Sequence, residues 1–130
     1  MSYLLDTSVW MWALDSFERL PSEAREILTN GREEIFLSAV TTWELSIKMA
    51  LGKLKFPAPP ARTVPRFIQE QNLKPLTITH RHAAMVYELP LHHRDPFDRL
   101  LIAQSIAENL TLLTADREFR MYEVSLLWCG

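Results

Sequence analysis

Short apolar runs, each too brief for a helix, alternate along this chain with longer segments of helical spacing. That alternation constrains the fold more than any other feature. Tyr3-Leu4-Leu5 reads as a buried first strand, and Ser22 caps a helix through Leu28 with Gly31 placed to end it. Ile35-Phe36-Leu37-Ser38 reads as the second strand. It leads into a helix from about Thr42 to Leu51, with Trp43 and Ile47 on one face and Gly52 as the stop. Phe56 to Pro65 carries Pro57, Pro59, Pro60 and Pro65, too many for a regular element, and reads as a stiff surface connection. A short helix over Arg66 to Gln71 precedes a third strand at Leu76-Thr77-Ile78. Thr79 caps the next helix, and Asp95 with Pro96 opens a strong one through Asn109. Thr111 to Thr114 and Val124 to Trp128 complete the strands. Strands alternating with helices give an α/β fold, a single domain spanning residues 1–130 with a mainly parallel sheet.

Four acids lie where strands run out or helices begin: Asp6 behind Leu5, Glu44 in Thr41-Thr42-Trp43-Glu44, Asp98 in Asp95-Pro96-Phe97-Asp98, and Asp116 behind Thr114-Ala115. In an open parallel sheet the strand tips converge, so distant residues meet there. Each acid also has a structural reading. Asp6 can cap the helix that follows it. Glu44 stands three residues after Thr41, the spacing of a capping box, and four before Lys48, the spacing of an ion pair. Asp98 suits a helix N-terminus, and Asp116 can close a turn. The conjunction carries the argument, because clustered carboxylates repel and must protonate or find a cation. With Cys129 alone and no paired histidines at ligand spacing, an all-oxygen set favours Mg²⁺, with Mn²⁺ able to substitute, and points to phosphoryl chemistry. Thr7, Ser8 and Thr114 read either as hydrogen-bond partners of the ligands or of water, or as residues that satisfy free backbone groups at the strand ends. His92 and His93 are not metal ligands by preference, and read as phosphate contacts or polar loop residues.

The net charge of −2 argues against a strongly basic nucleic-acid binder, but its distribution is uneven. Between Leu45 and Gln69 stand five cations, Lys48, Lys53, Lys55, Arg62 and Arg66, and no acid. Lys48, Lys53, Lys55 and Arg62 are candidates for a nucleic-acid backbone, against the alternative of a solvated surface. No apolar run is long enough to span a bilayer, no export signal is recognisable at the N-terminus, and one cysteine fits a reducing cytoplasm. Trp10, Trp12 and Trp43 read as core packing, with a base-stacking platform or partner groove as the alternative.

Leu-Leu-Asp-Thr-Ser at 4–8, Ser-Ala-Val-Thr-Thr-Trp-Glu-Leu at 38–45, Leu-Gly-Lys-Leu at 51–54, His-Arg-Asp-Pro-Phe-Asp-Arg-Leu-Leu-Ile-Ala-Gln at 93–104 and Leu-Leu-Thr-Ala-Asp at 112–116 together resemble the PIN-domain ribonucleases. Within them, the order is similar to the VapC-type toxins of bacterial toxin–antitoxin pairs. The resemblance runs over nearly the whole chain, and the 95–104 stretch is its most specific part. It implies a compact parallel sheet of about five strands sandwiched by helices, and a metal-dependent endoribonuclease. Asp6 and Asp98 would be the principal metal ligands, with Asp116 assisting and Glu44 helping to position water. It also implies a homodimer and a cognate antitoxin. Where many relatives carry His or Asn, this chain has Ser8, and where many carry Arg it has Ala115; neither change removes an acid. The competing readings are a PIN nuclease in RNA processing without a toxin role, a catalytically silent PIN interaction module, and a phosphoacceptor receiver. The receiver wants paired acids after strand one and a late lysine. Thr7 follows Asp6, and no lysine follows Lys74.

Overall fold

The computed structural model describes residues 1–130. In chain order the elements are β1 (Ser2–Leu5), α1 (Thr7–Asp15), α2 (Ser22–Thr29), β2 (Glu34–Ser38), α3 (Ala39–Ala50), α4 (Pro60–Glu70), β3 (Lys74–Leu76), α5 (His80–Met85), α6 (Pro96–Glu108), β4 (Thr111–Thr114) and β5 (Leu126–Trp128). Single 3₁₀ turns lie at Phe17–Arg19, Val86–Glu88 and Arg117–Met121. The five strands form one sheet in the order β3-β2-β1-β4-β5, and every pairing is parallel.

The burial of both sheet faces explains why the strands read as unbroken apolar runs. Alternate residues feed two cores. Tyr3, Leu5, Ile35, Leu37 and Leu113 pack on one side with Val9, Trp10, Ala24, Ile27 and Val64 of α1, α2 and α4. Leu4 and Leu112 pack on the other with Leu100, Leu101 and Ile102 of α6, and with Phe119 and Tyr122. From β1 the chain adds strands outward to β3, then returns across β1 to place β4 on its other side. The tips of β1 and β4 therefore flank the switch point where such sheets bind ligands. Leu5 pairs with Leu113, and the Asp6 N–H donates to the Leu113 carbonyl at 3.1 Å.

Several elements differ from the sequence reading, each for a physical reason. The proline-rich connection ends earlier, because α4 begins at Pro60. Proline suits the first helical position, where its missing N–H would have no partner. Pro65 sits inside α4 at the loss of one helical hydrogen bond, offset by burial of Val64 and the packing of Phe67 and Ile68. β3 lies two residues earlier than the reading placed it, which puts Pro75 in an edge strand, where proline is tolerated. Beyond it the Thr77 carbonyl is taken by the Gln104 side chain at 3.2 Å. Ser22 is the first residue of α2 rather than its cap; the cap position is Pro21, with no side-chain bond. α3 is capped by Ser38, whose hydroxyl accepts from the Val40 N–H, so Thr41 and Glu44 lie inside the helix and form no capping box. Gly52 terminates α3 with φ of +73°, a conformation that favours glycine.

Candidate active site

Asp6 is the residue in which cap and site coincide. It sits at the end of β1 and is only 4% exposed. Oδ1 accepts from the Val9 N–H at 2.7 Å, capping α1, and Oδ2 accepts from the Thr114 hydroxyl at 2.5 Å. The same hydroxyl accepts from the Asp116 N–H at 3.1 Å, so one side chain at the tip of β4 holds two acids in register. Burial pushes the Asp6 carboxyl up to about 6; the bonds from Thr114 and Val9 oppose this, and the charges of Asp116 and Glu44 add to it.

Glu44 reaches the same place from α3. It is 6% exposed; Oε1 accepts from the Thr7 hydroxyl at 2.8 Å, and Oε2 pairs with Lys48 Nζ at 2.8 Å. Thr7 also lies 3.1 Å from the Thr41 hydroxyl. Lys48 is about half exposed, so that ion pair contributes only about 0–1 kcal/mol, whereas the Thr7 contact is buried.

Asp98 enters from the first turn of α6, a turn set by Asp95. The Asp95 carboxylate caps α6 by accepting from the N–H groups of Phe97 (2.8 Å) and Asp98 (3.1 Å), leaving the Asp98 side chain free to face the cluster. Its carboxyl is pushed up to about 7, first by burial and then by Asp95; His93 opposes the rise, and Glu44 and Asp6 add to it. Asp98 and Asp116 offer oxygens within 4.8 Å of one another and of His93, whereas Asp6 and Glu44 stand outside that group and act on Asp98 through their charge.

His93, read from the sequence as a phosphate contact or a polar loop residue, lies among Asp98, Asp116 and Glu118. Its Nε2 is 2.9 Å from Asp98 Oδ2 and 3.0 Å from Asp116 Oδ2, and its Nδ1 is 3.0 Å from Glu118 Oε2. Burial pulls the imidazole down, but the bond to Asp116 and the charges of Asp98, Asp116 and Glu118 outweigh it and leave it above its ordinary value. The loop is held by an arginine without a carboxylate partner. Buried Arg99 donates to the carbonyls of Pro90 (2.9 Å), Val86 (3.0 Å) and Leu89 (3.3 Å) and to the Tyr122 hydroxyl (3.2 Å). That hydroxyl in turn accepts from the N–H groups of His92 and His93. The sequence signal for His93 was its position two residues ahead of the Asp95 cap, which puts it at the same helix end as Asp98.

Of the residues expected to support the acids, Thr7 and Thr114 do so, whereas Ser8 is exposed and bonds none of them. Lys48 is engaged by Glu44, and Lys53, Lys55 and Arg62 are exposed. Trp10 is core, its indole N–H donating to Gln71. Trp12 is half-buried beneath Arg19. Trp43 is 48% exposed and meets Phe97 edge-on at 4.7 Å, each ring preceding one of the acids in sequence. Cys129 is buried, its thiol pushed up to about 12 by burial, which makes it inert. No helix is long and apolar enough to cross a membrane.

Comparison with known proteins agrees with this architecture. Ribonuclease VapC16 of Mycobacterium tuberculosis (strain ATCC 25618 / H37Rv) is 40% identical over 63 residues, a stretch covering 48% of this chain and 45% of that protein. The chain thus spans about half the length of the curated relative it matches. Among solved structures, VapBC2 from Rickettsia felis bound to a DNA fragment from its promoter superposes with a TM-score of 0.74 at 20% identity, covering 100% of both chains. DNA-bound VapBC from Salmonella typhimurium gives 0.72 at 21% identity over 99% of each. At these identities the structures share the fold. A profile of the PIN domain matches residues 3–124, most of the length of this parallel α/β domain, and the chain belongs to the PIN domain family.

Proposed function

We propose that this chain is a divalent-metal-dependent endoribonuclease, the toxin half of a toxin–antitoxin pair. The observation that carries the reading is a pair of carboxyls, buried Asp6 and partly exposed Asp98, driven to about 6 and 7 by desolvation and by neighbouring acids. At neutral pH such a cluster is short of positive charge, and its donor set is mostly oxygen, which suits a hard cation such as Mg²⁺, with Mn²⁺ as substitute. The choice of RNA as substrate follows the ribonuclease relative at 40% identity. The antitoxin follows the toxin–antitoxin complexes among the fold neighbours.

In this reading Asp6, Asp98 and Asp116 hold the cation, and Glu44 orients the attacking water. When bound, the cation neutralises the acids and polarises the scissile phosphodiester. Thr114 fixes Asp6 and the main chain at Asp116, and Thr7 fixes Glu44, so Asp6 and Glu44 need little reorganisation when substrate arrives. Lys53, Lys55 and Arg62 engage the RNA backbone. Neutralising all three is expected to weaken RNA binding and flatten its salt dependence, by about 0.7 in the logarithmic slope for each phosphate left without its cation. Catalysis in the cytoplasm and a homodimer in solution belong to the same proposal; light scattering on the purified chain measures the latter.

The test is cleavage of total RNA by chelator-dialysed protein, with Mg²⁺ or Mn²⁺ added back, followed by mapping of the new ends. Activity that returns with the metal and vanishes in Asp98→Asn is the expected result. Full activity in EDTA would falsify the role given to all four acids. A search for a small protein encoded beside this chain, and its ability to relieve the activity, tests the toxin half separately.

A further inference from the structure

We propose that His93 is a nitrogen ligand of the cation site, completing a set with Asp98 and Asp116 and tilting it from Mg²⁺ toward Mn²⁺ and similar transition ions. This rests on the metal reading above and adds a residue to it. His93 Nε2 and the two carboxylate oxygens lie within 4.8 Å of one another, and the two separations from Nε2 are 2.9 and 3.0 Å. Adjacent ligands on an octahedral ion at about 2.1 Å stand about 3.0 Å apart, so the two separations from Nε2 match those of neighbouring ligands.

The far side of the ring points the same way. Metal-binding imidazoles commonly donate their other N–H to a carboxylate, which fixes the tautomer. Glu118 Oε2 occupies that position, 3.0 Å from Nδ1. The Asp95 N–H also approaches Nδ1, at 3.2 Å. Bound to a cation, the ring would keep its proton on Nδ1 toward Glu118 and present the Nε2 lone pair to the ion, which would replace the Nε2 proton now shared with Asp98 and Asp116. The ring is also not free to swing away. Arg99 and Tyr122 pin the main chain around it, and it packs against the Phe119 ring, 5.7 Å between centroids. Imidazole suits transition ions, while Mg²⁺ prefers oxygen, so the nitrogen confers selectivity as well as affinity.

Pulsed EPR on Mn²⁺ bound to the chelator-dialysed protein reads the ligand directly. The expected result is a nitrogen modulation that changes to the ¹⁵N pattern when the histidines are ¹⁵N-labelled and disappears in His93→Gln with Mn²⁺ still bound. His93→Gln should also lower Mn²⁺ affinity about tenfold or more and leave Mg²⁺ affinity nearly unchanged. The exposed His80 and His92 can be replaced together by Gln without loss of the signal, which keeps the assignment testable if His93→Gln folds poorly. Mn²⁺ bound in an Asp98-dependent way without nitrogen modulation overturns the role of His93 and leaves the acid site standing. No Mn²⁺ binding, with RNA cleavage indifferent to chelator, overturns both.

Discussion

The acid cluster has two halves that are built differently. The sheet half, Asp6 with Thr114 and Glu44 with Thr7, is buried and held by hydrogen bonds from backbone and hydroxyl groups. The loop half, Asp98, Asp116, Glu118 and His93, is more exposed and is joined mainly by contacts between charged groups around one imidazole, although Asp116 also accepts from the Glu118 N–H. Hydroxyl and amide donors keep their geometry whatever the charge nearby. Charge contacts last only while the charges do. The fold thus fixes one pair of acids in advance and leaves the other pair to be set by whatever cation sits between them.

Replacing one acid from each half tests this contrast most strongly. Asp6→Asn and Asp98→Asn should both reduce RNA cleavage by more than the roughly 10–100-fold typical of groups that act behind the ligands. Their effects on stability should diverge. Asp98→Asn removes a repelled charge, so thermal melts of metal-free protein at pH 8 should show stabilisation on the order of 1–4 kcal/mol. Asp6→Asn should bring no such gain, because an amide offers one acceptor where Val9 and Thr114 require two. Equal stabilisation by both would erase the distinction.

The pH dependence of the metal-free protein is the next largest effect. Asp6 and Asp98 ionise near 6 and 7 when folded, against 3.8 in the free side chain. The folded state therefore holds extra protons across that window, and stability falls as pH rises through it. His93, raised above its ordinary value, acts in the same direction, its contribution being lost as pH rises past its folded value. Melting temperature without metal should decline from pH 5 to pH 8. The decline should be flatter in Asp98→Asn, and added Mg²⁺ should restore stability most at the alkaline end. A melting temperature that rises over this range would contradict the charge imbalance given to the loop half.

Thr114→Val probes the sheet half alone. It removes the donor to Asp6 and the acceptor for the Asp116 N–H while keeping the side-chain shape. Denaturant unfolding should show destabilisation of about 1.5–3 kcal/mol, the range for a hydrogen bond to a charged group. Ser8→Ala should be the smallest change, within about 0.5 kcal/mol, since Ser8 is exposed and touches none of the acids.

Most of the architecture was legible in the sequence because its local signals agree with the tertiary result. Asp95-Pro96 reads as a helix start and is one, and the apolar runs at 3–5 and 111–114 read as strands and pair with each other. The misreadings arose where two local signals competed. Ser38 and Thr41 both suit a helix cap, and the end of β2 decided for Ser38; Pro60 and Pro65 read as a break, yet one starts α4 and the other is carried within it by packing. His93 was missed because ligand preference was argued from the ion, whereas its position follows from the loop that Arg99 and Tyr122 hold. That loop depends on contacts up to 30 residues apart, which no local pattern reveals.

The bond from Thr114 to Asp6 spans 108 positions of the chain, and β1, the central strand, is completed on one side only by β4. A sheet wired this way has high contact order and folds late relative to its local helices. A chain still emerging from the ribosome, or broken before residue 114, carries Asp6, Glu44 and Asp98 without the strand tip that draws them together. With the proposed activity, translation itself enforces a latent period: the hydrolytic centre does not exist until β4 and Thr114 have left the ribosome.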